Sequence, residues 1–313
     1  MTDGMFDVVI PIFAIVGLGY AFSKKALFGP EVAAGLTRFM FYFAVPAMLF
    51  KSIATTELPN HIPWNFWLAF YVPSFIVFFI AMLTTRSLFG WRSAESGIAG
   101  VCAAYSNMVL LGLPLLLAAY GERVNLPLFM LLAPQSLLLF PTTIFAVEVF
   151  GGEKRGLDSL KLSLIGKLFL NPIILALVLG LIANLSGLVI AKIPLSILEL
   201  ISAAAPACAL TALGASLAQY EFKGIHAASY TLAFLKLVMH PILVFLMCRV
   251  LGIEGFWMQV AVFLAAMPCG INAFIFASNY KLKAEIVTQS IVLSTLLSVI
   301  TSATLLKLFA STM

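Results

Sequence analysis

Apolar runs of about 20 residues follow one another almost end to end in this 313-residue chain, and each can cross roughly 30 Å of hydrocarbon as a helix. Ten such runs are expected to span a membrane: 5–23, 35–55, 63–86, 96–120, 126–150, 162–185, 194–219, 226–250, 256–279 and 285–309. Lipid offers no water to backbone amides, so a spanning segment must be a helix or part of a closed barrel. Runs of this length are too long for barrel strands, which leaves an all-α polytopic membrane protein. Composition agrees: 62% of residues are hydrophobic and 10% charged, against the quarter or so that is charged in a soluble domain.

The basic residues orient the layout. Lys24, Lys25, Arg38, Arg86, Arg92, Lys154, Arg155, Lys161, Lys167, Lys223, Lys281 and Lys283 fall on one side. Lys51, Arg123, Lys192, Arg249 and Lys307 fall on the other, and Lys236 lies inside a run. Twelve against five is a positive-inside bias that makes the first side cytoplasmic and leaves both termini outside. Asp3 and Asp7 stand where a signal peptide would carry lysines, so the first run is expected to stay as a helix. The net charge of +5 is spread singly over short loops rather than gathered in a stripe, which speaks against nucleic acid.

Two runs are interrupted by polar residues, proline and glycine at mid-depth. One reads Tyr105-Ser106-Asn107-Met108-Val109-Leu110-Leu111-Gly112-Leu113-Pro114, the other Met267-Pro268-Cys269-Gly270-Ile271-Asn272. Such breaks survive in a bilayer only where they line a cavity, and matched breaks in two halves point to a carrier's binding site. They fall in the fourth and ninth runs, one in each set of five. An odd number of spans per half turns the second half upside down relative to the first. Faint matches support two inverted repeats, 1–152 and 153–313: Phe43-Ala44-Val45-Pro46-Ala47 with Ala204-Ala205-Pro206-Ala207, and Pro134-Gln135-Ser136 with Thr288-Gln289-Ser290. The loop 151–161, opening Gly151-Gly152-Glu153-Lys154-Arg155-Gly156, is the expected hinge between them.

A helix that restarts after a break presents backbone amides and partial positive charge at its new N-terminus. Two such ends meeting at the midplane suit a carboxylate. Asn107 and Asn272 are the expected ligand contacts, with Ser106 beside them. Gln135 and Gln289, near mid-span in the helices that follow, are expected to face the same cavity. The competing reading is that these amides glue helices together. Pro114, Pro268 and Gly270 shape the breaks. Lys236, one turn before His240 and about ten residues into its run, is costly in lipid and a functional candidate by default. It could balance an anionic substrate, carry a coupled proton or serve the structure, with His240 and Glu148 as further coupling candidates. Arg38 reads as a solvated or paired charge at a span end, with a functional role as the lesser alternative, Lys51 as a snorkelling charge, and Trp64, Trp67, Trp91 and Trp257 as interface anchors.

Several segments resemble the auxin efflux carrier family, which spans bacterial organic-anion carriers and the plant auxin exporters. They are Phe41-Tyr42-Phe43-Ala44-Val45-Pro46-Ala47-Met48-Leu49-Phe50, Asn107 to Leu115, Lys167-Leu168-Phe169-Leu170-Asn171-Pro172, and Met267-Pro268-Cys269-Gly270 followed by Phe274-Ile275-Phe276-Ala277. Gln135 with Glu148 resembles the fifth helix of the plant members. Those members carry proline before the first asparagine, where this chain has Ser106. The resemblance implies an elevator-type carrier of small organic anions in a plasma membrane, the inner one in a bacterium. Helices one, two, six and seven would form the scaffold and a homodimer surface, and the other six the moving part.

No cofactor is implied. The four cysteines lack metal spacing and the three histidines do not cluster. The bile-acid:sodium symporter class shares the crossed architecture but needs acidic ligands at the crossing, and no Asp or Glu stands near Asn107 or Asn272. That leaves proton coupling or uniport, and malonate, malate, another carboxylate or an auxin-like acid as substrate. An intramembrane enzyme would need a catalytic pair at mid-depth, and a sensor an output domain; neither is present in the sequence.

Overall fold

The computed structural model describes residues 3–56, 63–151, 172–220 and 224–310. Among them the chain is helical, with one isolated β-bridge and no strand. The first half holds α1 (Asp3–Lys24), α2 (Pro30–Phe39), α3 (Val45–Thr55), α4 (Trp64–Phe89), α5 (Ser93–Ala104), α6 (Leu113–Tyr120) and α7 (Asn125–Gly151). The second holds α8 (Pro172–Leu185), α9 (Lys192–Ala203), α10 (Ala205–Ala218), α11 (Ala227–Phe234), α12 (His240–Val250), α13 (Gly255–Ala265), α14 (Asn272–Tyr280) and α15 (Ala284–Ala310).

Seven helical stretches are long and apolar enough to cross a membrane, and the described parts of three expected runs are shorter. The fourth and ninth runs are each two short helices, because their breaks divide them. Of the sixth, only Pro172 onward is described, so Lys167 to Asn171 fall outside, as do the 152/153 boundary and most of the expected hinge.

Three wide π turns recur: Met40–Ala44, Met108–Gly112 and Leu235–Met239. Each is followed by a helix with proline at its second position, Pro46, Pro114 or Pro241. In each, the residue before proline donates its N–H five residues back: Val45 to Met40, Leu113 to Met108, His240 to Leu235. Proline has no N–H to place and its ring would crowd a regular turn, so the helix widens there instead of breaking.

Small residues set the helix contacts, as expected where lipid supplies no hydrophobic drive between helices. α1 lies against α10: a Cβ on Gly19 would stand 2.6 Å from the Thr211 carbonyl, and one on Gly214 would strike that of Val16. α8 packs on α3, where the Asn184 side-chain amide donates to the carbonyls of Ile53 and Thr56 at 2.8 Å and caps the helix end. Outward faces are apolar, with Leu83, Ile182, Leu200 and Ile300 all exposed. Trp64 alone of the four tryptophans is largely exposed; Trp91 is buried, and Trp257 packs edge-on against Phe66 at 4.8 Å. Lys51 does not snorkel freely: its ammonium holds Glu122 at 3.0 Å and reaches Glu199 at 3.9 Å.

Candidate functional site

The two interrupted helices meet at their breaks. Ser106 and Cys269 form an antiparallel bridge. Asn107 donates its N–H to the Pro268 carbonyl at 3.0 Å, and Gly270 donates to that of Tyr105 at 2.9 Å. Each break thus supplies partners that the other lost on leaving the helix, the only kind of solution open to it away from water. A Cβ at Gly270 would lie 2.5 Å from the Tyr105 ring, so glycine is what lets the two strands of backbone close.

A helix packed alongside splints each break. Gln135 of α7 lies opposite Ser106 and holds its peptide at both ends, accepting from the N–H at 3.2 Å and donating to the carbonyl at 3.0 Å. Ser294 of α15 accepts the Cys269 N–H at 3.1 Å. Gln289 stands one and a half turns away and does not line the crossing. Its carboxamide oxygen accepts from the His226 N–H and the Ser229 hydroxyl, at 2.9 and 3.2 Å. Gln289 therefore does not face the cavity as expected, and Ser294 rather than Gln289 meets the second break. A shared Gln-Ser dipeptide misled the comparison, whereas position along the helix decides which side chain meets the break.

Lys236 sits behind the crossing, fully buried in the third π turn. Its ammonium has three N–H donors and three acceptors: Ser106 Oγ at 2.6 Å, the Ala265 carbonyl at 2.7 Å and His240 Nδ1 at 2.8 Å. With Nδ1 accepting, His240 is assigned the tautomer that donates from Nε2 to Ser74 Oγ, 3.0 Å away, and Ser74 in turn donates to the Phe70 carbonyl. The positive charge also faces the C-terminal end of α13, where the helix dipole is negative. Glu148 is elsewhere, accepting from the Tyr280 hydroxyl at 3.3 Å.

In front of the crossing lies a cavity of about 570 Å³. Tyr105, Ser106, Asn107, Gln135, Gly270 and Asn272 form its floor, and Thr37, Arg38, Phe41 and Tyr42 of α2 and its π turn form a facing wall. The helices restarting at Met108 and Asn272 both open toward it with their N-terminal ends. Asn107 accepts the Leu110 N–H on Oδ1 at 3.3 Å, which caps its helix. Its Nδ2 is buried and has no hydrogen-bond partner among the described residues. Asn272 stands beside the Tyr105 hydroxyl, which shares a 2.9 Å hydrogen bond with Ser136. Arg38 is the only charged residue among the described lining residues.

The structure thus brings Ser106, Asn107, Gln135, Asn272, Pro268 and Gly270 together and places Lys236 and His240 directly behind them. Pro114 holds the second position of α6 beyond the π turn. Arg38, Tyr105 and Ser294 join the site without having been singled out for it in the sequence. No group of three or more His, Cys, Asp or Glu suited to a metal ion occurs among the described residues.

Comparison with known proteins shows the family. Residues 5–306 match a family described as "Membrane transport protein". The chain is 30% identical over 307 residues to a protein of Rhizobium meliloti (strain 1021) named "Putative malonate transporter", covering 97% of this chain and 95% of that one. It is 26% identical to the "Uncharacterized transporter YfdV" of Escherichia coli (strain K12), with 94% of each covered. It is 24% identical to "Auxin efflux carrier component 8" of Arabidopsis thaliana, again with 94% of each covered. The chain belongs to the membrane transport protein family, the family that includes the auxin efflux carriers.

Proposed function

We propose that this chain is a secondary transporter that carries a small organic anion, a carboxylate, across the membrane. The observation that carries the reading is Asn107, which lines a cavity where two helix N-termini converge and whose buried amide nitrogen has no acceptor among the described residues. A carboxylate oxygen is the acceptor it lacks, and the helix ends favour its charge. Asn272 and the Tyr105 hydroxyl stand ready on the opposite side. The name of the Rhizobium relative points to the same chemistry, since malonate is a dicarboxylate.

The proposed layout is ten spans in two inverted five-helix repeats, with the fourth and ninth crossed. The matching splints support it, because Gln135 follows the start of α7 by the same ten residues that separate Ser294 from the start of α15. Movement is of the elevator type, with helices one, two, six and seven as scaffold and dimer surface, in a bacterial inner membrane with both termini outside. Proton coupling or uniport fits better than sodium coupling. No carboxylate lines the cavity among the described residues, and the oxygens of Ser106 and Ala265 that a cation would use accept from Lys236 Nζ.

The test is uptake of labelled malonate and monocarboxylates into proteoliposomes under imposed proton and sodium gradients. Saturable uptake is expected that sodium does not stimulate. Absence of uptake for every carboxylate overturns the reading.

A further inference from the structure

We infer that Arg38 is a second anion-binding point of this cavity, so that the substrate is held at two ends and a dicarboxylate is preferred over its monoanionic analogues. The inference rests on the proposed carboxylate site and adds the residue that sets its selectivity. Arg38 lies in the last turn of α2, on the wall facing the crossing rather than on the broken helices themselves. Among the described residues it has no ion-pair partner, and none of those lining the cavity is acidic. The other polar groups on that wall, the hydroxyls of Thr37 and Tyr42, are neutral.

Positive potential therefore enters the cavity from two separate places. One is the crossing, where the Asn107 donor and the two helix ends gather on a single carboxylate. The other is the guanidinium, whose planar fork matches a second carboxylate with two parallel N–H donors. A monocarboxylate satisfies one of these and leaves the other, the exposed guanidinium or the buried crossing, without a carboxylate partner. The volume of about 570 Å³ has room for a short dicarboxylate with water, within the range usual for small-ligand pockets. Discrimination then comes from the second charge-assisted contact, which only a dianion makes.

The experiment measures uptake of labelled malonate in proteoliposomes, with competition by unlabelled malonate and by monomethyl malonate. The wild type is compared with Arg38→Gln and Arg38→Lys. Wild type is expected to prefer malonate to its monomethyl ester at least tenfold. Arg38→Gln is expected to cut that preference to under about threefold while keeping its melting temperature, and Arg38→Lys to fall between. An unchanged preference in a well-folded Arg38→Gln, or a wild type that takes both anions equally, overturns the inference and leaves the carboxylate site standing. A wild type that takes up neither anion nor any other carboxylate overturns both. Should Arg38→Gln fail to fold, Arg38→Lys decides: a preference equal to the wild type's counts against the two-point site, because an ammonium cannot reproduce the bidentate fork.

Discussion

Asn107 divides its carboxamide between two tasks. Its oxygen caps the restarted helix at Leu110, while its nitrogen has no partner among the described residues. Asn107→Ala therefore removes both a cap worth about 1 kcal/mol and the donor offered to substrate, worth about 1–3 kcal/mol. Malonate affinity should fall by the equivalent of about 1–3 kcal/mol, while thermal stability falls by about 1 kcal/mol for the lost cap. Lys236 is the opposite case, with every N–H used. Replacing it by methionine leaves Ser106 Oγ, His240 Nδ1 and a helix-end carbonyl without their donor, at a cost of about 2 kcal/mol or more. A clear drop in melting temperature is expected for Lys236→Met. A well-folded Lys236→Arg is informative in another way, because arginine does not release its proton. If Lys236 carries the coupled proton, that variant binds substrate yet no longer responds to an imposed pH gradient.

At the scale of elements, the breaks were legible because their chemistry is local. Asparagine, proline and glycine inside an apolar run announce a lost helix wherever they occur. Their partnership was not legible, since the bridge from Ser106 to Cys269 joins residues 163 apart in the chain. The same distance hid the bond from Lys236 to Ser106 and the approach of Arg38 to the cavity. Ser106 itself shows how a departure from the plant pattern is absorbed. Its N–H goes to Gln135 and its hydroxyl to Lys236, and a proline there could offer neither. Ser106→Pro is expected to lower stability by about 1–3 kcal/mol for the groups it strands, read by thermal denaturation. Ser294→Ala removes the splint of the other break and is expected to lower stability within the same range of about 1–3 kcal/mol, whereas an unaltered melting temperature would show that the Cys269 N–H finds another acceptor.

Over the whole molecule, the cavity and the Lys51–Glu122 ion pair tie different parts of the chain together. Arg38 and Lys51 belong to sequence-assigned opposite membrane faces, the cavity beside the first and the ion pair at the second. Under the proposed elevator movement α3 and the Gly121–Val124 turn part, and this ion pair breaks in each cycle. Cysteines at Lys51 and Glu122 joined by a short, cleavable thiol reagent are expected to stop uptake, and cleavage to restore it. Continued uptake by the cross-linked protein would exclude relative motion of those two elements. The all-helical class was legible from run length alone, because lipid leaves the backbone no alternative. The layout of the runs relative to one another depended on contacts between distant helices, which hydropathy does not encode.

The most direct measurement is malonate binding and uptake by Asn107→Asp. Aspartate keeps the oxygen that caps Leu110 and replaces the unpartnered donor with negative charge, so the fold is preserved while the site turns against anions. A melting temperature close to wild type, with malonate affinity down at least tenfold and uptake lost, is the expected result. A well-folded Asn107→Asp that binds and carries malonate as the wild type does would contradict a carboxylate site at this crossing.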